Sequence, residues 1–285
     1  MNMKIKKRII DVIIYAFLAC VCVFALFPVI YMILGSFRSN MEMLAHAEWF
    51  FPREFTLDGY MDAFTNRRFN IPRMLWNNIY YTVCSMVITI SLSVLAGYVF
   101  ARGDFAGSKV LFAIFSATMF ISVGGTTIYP VFDVLRAVGL DKGLNALLIK
   151  KIFGFGIVNI YLVRGFVNQL PKELDEAAAM DGCGFMGTFF RVILPLLKPI
   201  VATLAILVFR ASWNDYYMPT IFTSSNPEQQ TLMVGLYKLR QTSGNAVNYN
   251  MLMAGATVSL LPILIVYAIC NKYFVDGITA GAVKG

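Results

Sequence analysis

The sequence is poor in the residue types that catalysis and metal binding need. His46 is the only histidine among 285 residues, and none of the five cysteines stands in a C-x-x-C or Cys/His cluster. Neither a zinc site nor a disulfide framework is therefore expected. The phosphate-binding pattern G-x-x-x-x-G-K-[ST] is absent, as are H-E-x-x-H and G-x-S-x-G. The sequence thus predicts no catalytic residue, no metal site and no ATPase site of its own.

Charged residues are also scarce, at 14% of the chain against 58% for hydrophobic residues. Four charge-free stretches each exceed the roughly 20 residues with which a helix crosses a hydrocarbon core. They lie at 12–37, 74–101, 110–132 and 241–271. The net charge of +8 comes without an arginine-rich helix or an RNA-binding aromatic signature. Basic residues that flank membrane spans explain it more simply, so nucleic acid is not an expected partner.

The hydropathy pattern predicts an all-α polytopic membrane protein with six transmembrane helices. Four spans are strong, at about 10–34, 77–101, 109–130 and 250–271. Two weaker spans, at about 144–166 and 199–222, border or contain ionisable side chains. Hydropathy alone therefore leaves the number of spans between four and six.

The orientation follows from the basic cluster that precedes the first apolar run. Lys4, Lys6, Lys7 and Arg8 favour a cytoplasmic N-terminus. The apolar run has no small-residue cleavage site after a short hydrophobic stretch, so we expect a retained first span rather than a signal peptide. With six spans, the C-terminus and the loops 102–108 and 167–198 also face the cytoplasm.

The loop 167–198 contains an acidic stretch, ELDEAAAMDGCGFMG, from Glu173 to Gly187. Its early carboxylates suit the positive end of a helix dipole, the alanines propagate a helix, and Gly182 can adopt the left-handed conformation that ends it. Such a helix has about ten residues and is too polar for lipid. Leu174, Ala177, Ala178 and Asp181 are expected on one face, where alanines let another surface approach closely. The alternative is a plain connector between two spans.

The longer stretch EAAAMDGCGFMGTFFRVILP resembles the signature of binding-protein-dependent ABC importer permeases. That signature is Glu-Ala-Ala, three residues, Gly, nine residues, then Ile-x-Leu-Pro. Its matching positions here are Glu176, Ala177, Ala178, Gly182, Leu194 and Pro195, and Val192 replaces the usual isoleucine. The terminal stretch FVDGITAGAVKG resembles the second permease of the maltose-type, carbohydrate-importing group.

This resemblance implies a type I importer permease with a cytoplasmic coupling helix from about Glu173 to Gly187. The implied parts are an N-terminal span with the first extracytoplasmic loop (1–72), an ABC transmembrane type-1 domain (73–274) and a cytoplasmic tail (275–285). The implied partners are a second permease, two ATPase subunits that bind ATP and Mg²⁺, an extracytoplasmic solute-binding protein and the bilayer of a bacterial inner membrane. The implied ATPase contacts are Glu173, Glu176, Ala177, Ala178, Asp181, Gly182, Leu194 and Pro195.

Ionisable and aromatic residues in the two weaker spans are candidates for a sugar pathway, because charges at membrane depth usually face a protein interior or a water-filled cavity. These candidates are Asn159, Tyr161, Arg210, Trp213, Asn214, Asp215 and Tyr216. A structural polar network is the other interpretation, and the favoured one. An ion-coupled transporter or channel is the alternative function. It would need embedded carboxylates, for which Asp215 is the only candidate.

Overall fold

A computed structural model describes residues 3–66, 69–121, 128–140, 142–154, 156–241 and 248–282. Across these residues the regular secondary structure is helical, without a β-strand. The α-helices are, in chain order, α1 (Met3–Gly35), α2 (Asn40–Ala45), α3 (Asp58–Thr65), α4 (Ile71–Arg102), α5 (Ser108–Ala117), α6 (Ile128–Ala137), α7 (Gly143–Phe153), α8 (Ile157–Val167), α9 (Glu173–Met180), α10 (Phe185–Thr188), α11 (Leu194–Leu196), α12 (Lys198–Trp213), α13 (Tyr217–Phe222), α14 (Leu232–Gln241) and α15 (Tyr249–Ala282).

Three helices are long and apolar enough to cross a membrane. They are Lys7–Gly35 within α1, Ile71–Arg102, which is α4, and Tyr249–Ile269 within α15. A helix rises 1.5 Å per residue, so each of them exceeds the hydrocarbon thickness of about 30 Å. The predictions of spans near 10–34, 77–101 and 250–271 are confirmed as apolar helices, and the chain is a multi-pass membrane protein.

The segment expected to form the third span, 109–130, is not one continuous helix. Helix α5 ends at Ala117, turn residues follow, and α6 begins at Ile128. The ten residues of α5 extend about 15 Å, half of a hydrocarbon core. The hydroxyl of Thr118 donates to the carbonyl of Phe115 at 2.6 Å. The prediction of one continuous span over 109–130 is therefore not met by a single helix.

The two weaker predicted spans are each divided. The segment expected at 144–166 consists of α7 and α8, whose axes differ by 44°. The segment expected at 199–222 consists of α12, which ends at Trp213, and α13, which begins at Tyr217. Arg210 lies in α12, whereas Asp215 lies in the break between the two helices, so the expected span is not one continuous helix. Oδ1 of Asp215 accepts the N–H of Met218 at 3.3 Å, which supports the start of α13.

The chain divides into two compact units. The first comprises Met1–Pro72 and Leu236–Leu261. Within it the fully buried guanidinium of Arg38 donates to the carboxylate of Glu42 at 3.0 Å and to the carbonyls of His46 and Trp49 at 2.6 and 2.8 Å. The second comprises Arg73–Gly235 and Pro262–Gly285. The three parts expected from the sequence, 1–72, 73–274 and 275–285, remain a prediction, and residues 283–285 of the tail lie outside the described residues.

The second unit contains the core that positions the acidic stretch. Buried residues of α4, α8, the following π-helical turn (Phe189–Ile193) and α12 form one apolar cluster; they are Val94, Tyr98, Val163, Val167, Phe189, Ile193, Leu197, Ile200 and Leu204. Gly97 lets α4 and α8 meet closely, because a Cβ added there would lie 2.5 Å from Cγ1 of Val163. The acidic stretch therefore rests on packed helices.

Candidate coupling site and intramembrane polar cluster

The acidic stretch forms a short helix with a defined end. Helix α9 has Glu173, Asp175 and Glu176 in its first turn and no basic residue in its last. Gly182 adopts φ +79°, the left-handed conformation that the sequence predicts. The N–H of Cys183 donates to the carbonyl of Ala178 at 2.9 Å and so closes the helix end. The chain then reverses into α10.

The residues of α9 divide between two environments. Glu173, Glu176, Ala177 and Asp181 are exposed, whereas Ala178 is only 5% exposed. The expectation that Ala177 and Ala178 share one open face is therefore corrected: Ala178 packs within its own chain, where its small side chain permits close contact. The open face of α9 is strongly acidic.

A partly buried ion pair joins α9 to the end of α4. Arg102 Nε lies 2.8 Å from Oδ2 of Asp175, and its Nη2 donates to the carbonyl of Leu170 at 2.7 Å. The two charged side chains are 9% and 23% exposed. Because the pair is hydrogen-bonded and only partly exposed, it constrains the position of α9 more than a fully exposed ion pair would.

The end of the signature lies on the other side of the chain reversal. The π-helical turn Phe189–Ile193 is followed by α11, in which Leu194 is half-buried against the apolar cluster and Pro195 is exposed. Pro195 lies inside the continuous helical run Phe185–Leu196, directly after the π-helical turn, and supplies no backbone N–H there. The turn thereby redirects the chain from the acidic stretch into α12.

A groove of about 410 Å³ separates α9 from the end of α4 and from α10. It is lined by Tyr98, Ala101, Arg102, Lys172, Asp175, Glu176, Ala179, Cys183, Phe185 and Thr188. Its charged walls pair the acids Asp175 and Glu176 with the bases Arg102 and Lys172. The groove is an open surface beside α9 rather than an enclosed ligand cavity.

A second set of polar side chains lies between α4, α7 and α12. This polar cluster comprises Tyr81, Lys151, Ser212 and Asp215. The hydroxyl of Tyr81 donates to Oδ2 of Asp215 at 2.8 Å, and Lys151 Nζ donates to Oγ of Ser212 at 3.2 Å. The ammonium of Lys151 also lies 5.2 Å from the centroid of the Tyr81 ring, within cation–π range. One lysine and one carboxylate are thus joined through a tyrosine.

The other candidate pathway residues are spread around the second unit. Trp213 is buried, and its carbonyl accepts a hydrogen bond from Asn78 at 3.3 Å. Tyr161 stacks on Phe112 with ring centroids 6.2 Å apart. Asn159 is half-buried, whereas Arg210, Asn214 and Tyr216 are exposed. The structure places Asp215 in the polar cluster and does not place Asn159 or Tyr161 there.

Sequence reasoning missed three members of the polar cluster and the anchor of α9. Tyr81 belongs to a row of polar residues along α4, with Asn78, Thr82 and Ser85, all buried. Their three- and four-residue spacing in an apolar helix was a usable signal, since it marks one inward face. The role of Arg102 could not be inferred from its neighbours in the sequence, because its partner Asp175 lies 73 residues further along the chain.

The profile of one family, described as the inner membrane component of binding-protein-dependent transport systems, matches residues 1–279. The chain belongs to this family. Its permease architecture is also that of a solved bacterial ABC transporter involved in import of the acidic polysaccharide alginate. The TM-score is 0.82 at 25% identity, over 94% of this chain and 98% of the other. The type I importer permease fold expected from the signature is confirmed.

Individual relatives of this permease match along nearly the whole chain. The arabinooligosaccharides transport system permease protein AraQ of Halalkalibacterium halodurans is 31% identical over 277 residues, which cover 95% of this chain and 94% of AraQ. The trehalose/maltose transport system permease protein MalG of Thermococcus litoralis is 29% identical over 285 residues, the full length of both.

Proposed function

We propose that this permease carries a sugar or an oligosaccharide into a bacterial cell. The support is the chemistry named for its relatives, which are permeases for arabinooligosaccharides and for trehalose or maltose, together with the alginate importer that shares its fold. All of these substrates are saccharides. The resemblance of the C-terminal sequence to maltose-type permeases points the same way.

The permease acts as one subunit of a heteromeric importer. A second permease completes the translocation pathway, and an extracytoplasmic binding protein delivers the sugar. Two ATPase subunits bind ATP and Mg²⁺, while this chain contributes no cofactor site. Two observations support the division of labour: the family is binding-protein-dependent, and the sequence has no phosphate-binding loop.

Helix α9 acts as the coupling helix, and its geometry carries the proposal. Glu173, Glu176 and Asp181 are exposed, while Asp175 pairs with Arg102 of the same chain. An acidic, exposed helix held against the end of a long apolar helix is suited to a basic cleft of an ATPase subunit. Movement of the ATPase pair then turns α9 and switches the pathway between inward-open and outward-open states.

The topology has six crossings of the inner membrane, with both termini in the cytoplasm. The crossings are α1, α4, the segment 109–130, the pair α7 and α8, the pair α12 and α13, and α15. Helix α9 stays outside the lipid, because three carboxylates in one turn would each cost about 2.5–3.5 kcal/mol at the bilayer centre. The 118° bend before Phe185 is therefore a surface reversal.

We assign three exposed pathway candidates, Arg210, Asn214 and Tyr216, to contact with the sugar. The polar cluster is assigned a structural role. Arg210, Asn214 and Tyr216 offer hydrogen-bonding groups and an aromatic face near the break between α12 and α13. Asp215 is already engaged by Tyr81 and the N–H of Met218. An ion-driven transporter would need embedded carboxylates as ion sites, and Asp215 is the only candidate that the sequence offers, which disfavours that alternative.

The coupling role is tested by charge reversal on α9. Glu176→Lys is expected to leave membrane insertion intact but to prevent co-purification of the ATPase subunits and to abolish uptake. Asp104→Lys is the matched control, because Asp104 is also exposed and lies in a loop on the same predicted side. Retention of the ATPase by the Glu176→Lys permease would refute the assignment of α9.

The substrate and the energy source are tested by uptake. In cells that express the importer, competition by a panel of arabino-, malto- and alginate oligosaccharides should identify the imported class. Uptake should stop with vanadate, which traps ABC ATPases, and persist initially with a protonophore. The reverse pattern would favour the ion-coupled alternative.

A further inference from the structure

The last turns of α4 contact the acidic stretch (Glu173–Gly187) and the residues on either side of it. Arg102 reaches Asp175 in α9 and the carbonyl of Leu170 just before α9. One turn earlier, Tyr98 lies with its ring centroid 4.7 Å from that of Phe185 and 5.0 Å from that of Phe189. A single helix end thus contacts the residues before, within and after α9.

These contacts differ in kind from the chain connections of α9. Residues 168–172 and 181–184 join it to α8 and α10 through turns and irregular backbone. Such links bend when one side is pushed. The guanidinium of Arg102, by contrast, is planar and presents several N–H donors in a fixed arrangement. It holds two points of the segment at once, which fixes both the position and the rotation of α9.

The neighbouring acids Asp175 and Glu176 therefore have separate tasks. Successive residues of a helix point about 100° apart. Asp175 is turned toward α4 and is 23% exposed, whereas Glu176 is exposed. Asp175 can therefore hold α9 against its own chain, while Glu176 is open to contact with another subunit.

We propose that Arg102 and Asp175 form the positioning pair through which movement of α9 is transmitted to α4. This inference rests on the proposed coupling role of α9. With the pair intact, α4 and α9 move as one rigid body during the nucleotide cycle. Without it, α9 still binds the ATPase through its open face, but its movement is absorbed by the turns on either side.

The test is a distance measurement in the assembled importer. Nitroxide labels are placed at Val87 in α4, which is 62% exposed, and at Met180 in the last turn of α9, which is 89% exposed. Cysteine-free permease carrying these labels is purified with its ATPase subunits into liposomes. Pulsed electron paramagnetic resonance then gives the label separation without nucleotide and with ATP and vanadate.

In the intact permease, the label separation should change by less than about 2 Å between the two states, the scale of small helix shifts. In the Arg102→Ala variant the label separation should change by more than about 2 Å, or its distribution should broaden, while the ATPase still co-purifies. Asp175→Asn, which keeps the side-chain shape and leaves the hydrogen bond from Arg102 to the carbonyl of Leu170 in place, should give a smaller effect of the same sign. Asp104→Ala should behave like the intact permease.

Two results would overturn the proposal. One is a nucleotide-dependent shift in the intact permease as large as that in Arg102→Ala. The other is an unchanged, narrow separation in both Arg102→Ala and Asp175→Asn, which would make the pair merely structural even if protein yield fell. If the intact permease fails to retain any ATPase subunit, the proposed function itself fails, and this inference with it.

Discussion

The close contact between α4 and α8 at Gly97 gives a quantitative prediction. A Cβ at Gly97 would lie 2.5 Å from Cγ1 and 2.6 Å from Cβ of Val163. Carbon atoms normally approach to about 3.5–4.0 Å, so Gly97→Ala must separate the two helices locally by about 1 Å. The obstructing Cβ belongs to the stem of Val163 and cannot rotate away. We therefore expect an overpacking cost near the upper end of the usual range, about 2 to 3 kcal/mol.

Gly165→Ala in α8 is the matched control. An added Cβ there meets no atom within 4 Å, and both substitutions gain the helix propensity of alanine, about 1 kcal/mol. The difference between the variants thus isolates the clash. In the purified permease, we expect the apparent melting temperature of Gly97→Ala to lie roughly 5 to 10 °C below that of Gly165→Ala.

The cost of Gly97→Ala can also be measured in a permease that carries Val163→Gly. Val163→Gly removes the two nearest atoms that the new Cβ would meet and leaves the backbone N of Arg164 at 3.2 Å, so Gly97→Ala should cost much less when added to it. The coupling in this double-mutant cycle then measures the clash with the Val163 side chain. Equal melting temperatures for Gly97→Ala and Gly165→Ala would refute the close packing of α4 on α8.

Three smaller changes test other parts of the structure. Gly182→Ala places an L-residue at φ +79°, which costs about 1–2 kcal/mol, and Gly182→Asn should recover part of the lost melting temperature. Tyr81→Phe removes the hydroxyl that donates to Asp215 at 2.8 Å. We expect the free energy of unfolding to fall by about 1–3 kcal/mol, seen as a lower melting temperature. An unchanged melting temperature would mean that this hydrogen bond adds no stability. Arg38→Met removes the donor to the carbonyl of Trp49 and the cation beside the carboxylate of Glu42, so trypsin should cut at Arg53 faster while membrane insertion is unchanged.

Hydropathy was sufficient for the helices that are uniformly apolar. Helices α1, α4 and α15 coincide with three of the longest charge-free stretches, because a continuous helix satisfies every backbone group in lipid. The fourth such stretch, 110–132, failed as a single helix. Average hydropathy reports the composition of a stretch and does not register where along it a helix ends, here at Ala117.

The acidic stretch was predictable where its structure is local. The carboxylates of the first turn and the left-handed Gly182 follow from residues within one short segment. The burial of Ala178 was not predictable, since it depends on which face of α9 meets the rest of the chain. The same limit applies to Arg102 and Asp175, whose pairing requires the arrangement of α4 and α9 in space.

The helix break at Asp215 was predictable only in part, because one aspect of it is local and another depends on the tertiary structure. The sequence marks the residue as unusual, because a carboxylate within an apolar stretch is costly. It does not say that the helix would break there and that the carboxylate would accept the N–H of Met218 and the hydroxyl of Tyr81. The candidate site was therefore identified by residue type, while its role depends on the tertiary structure.

Site-specific photo-cross-linking from α9 tests the central claim most directly. A photoreactive amino acid is introduced separately at Glu176, at Ala177 and at Ala178 of the permease in the assembled importer. We expect cross-links to an ATPase subunit from the exposed positions 176 and 177, and none from position 178, which is 5% exposed. Cross-links from 176 and 177 only to lipid or to the permease itself would contradict the account.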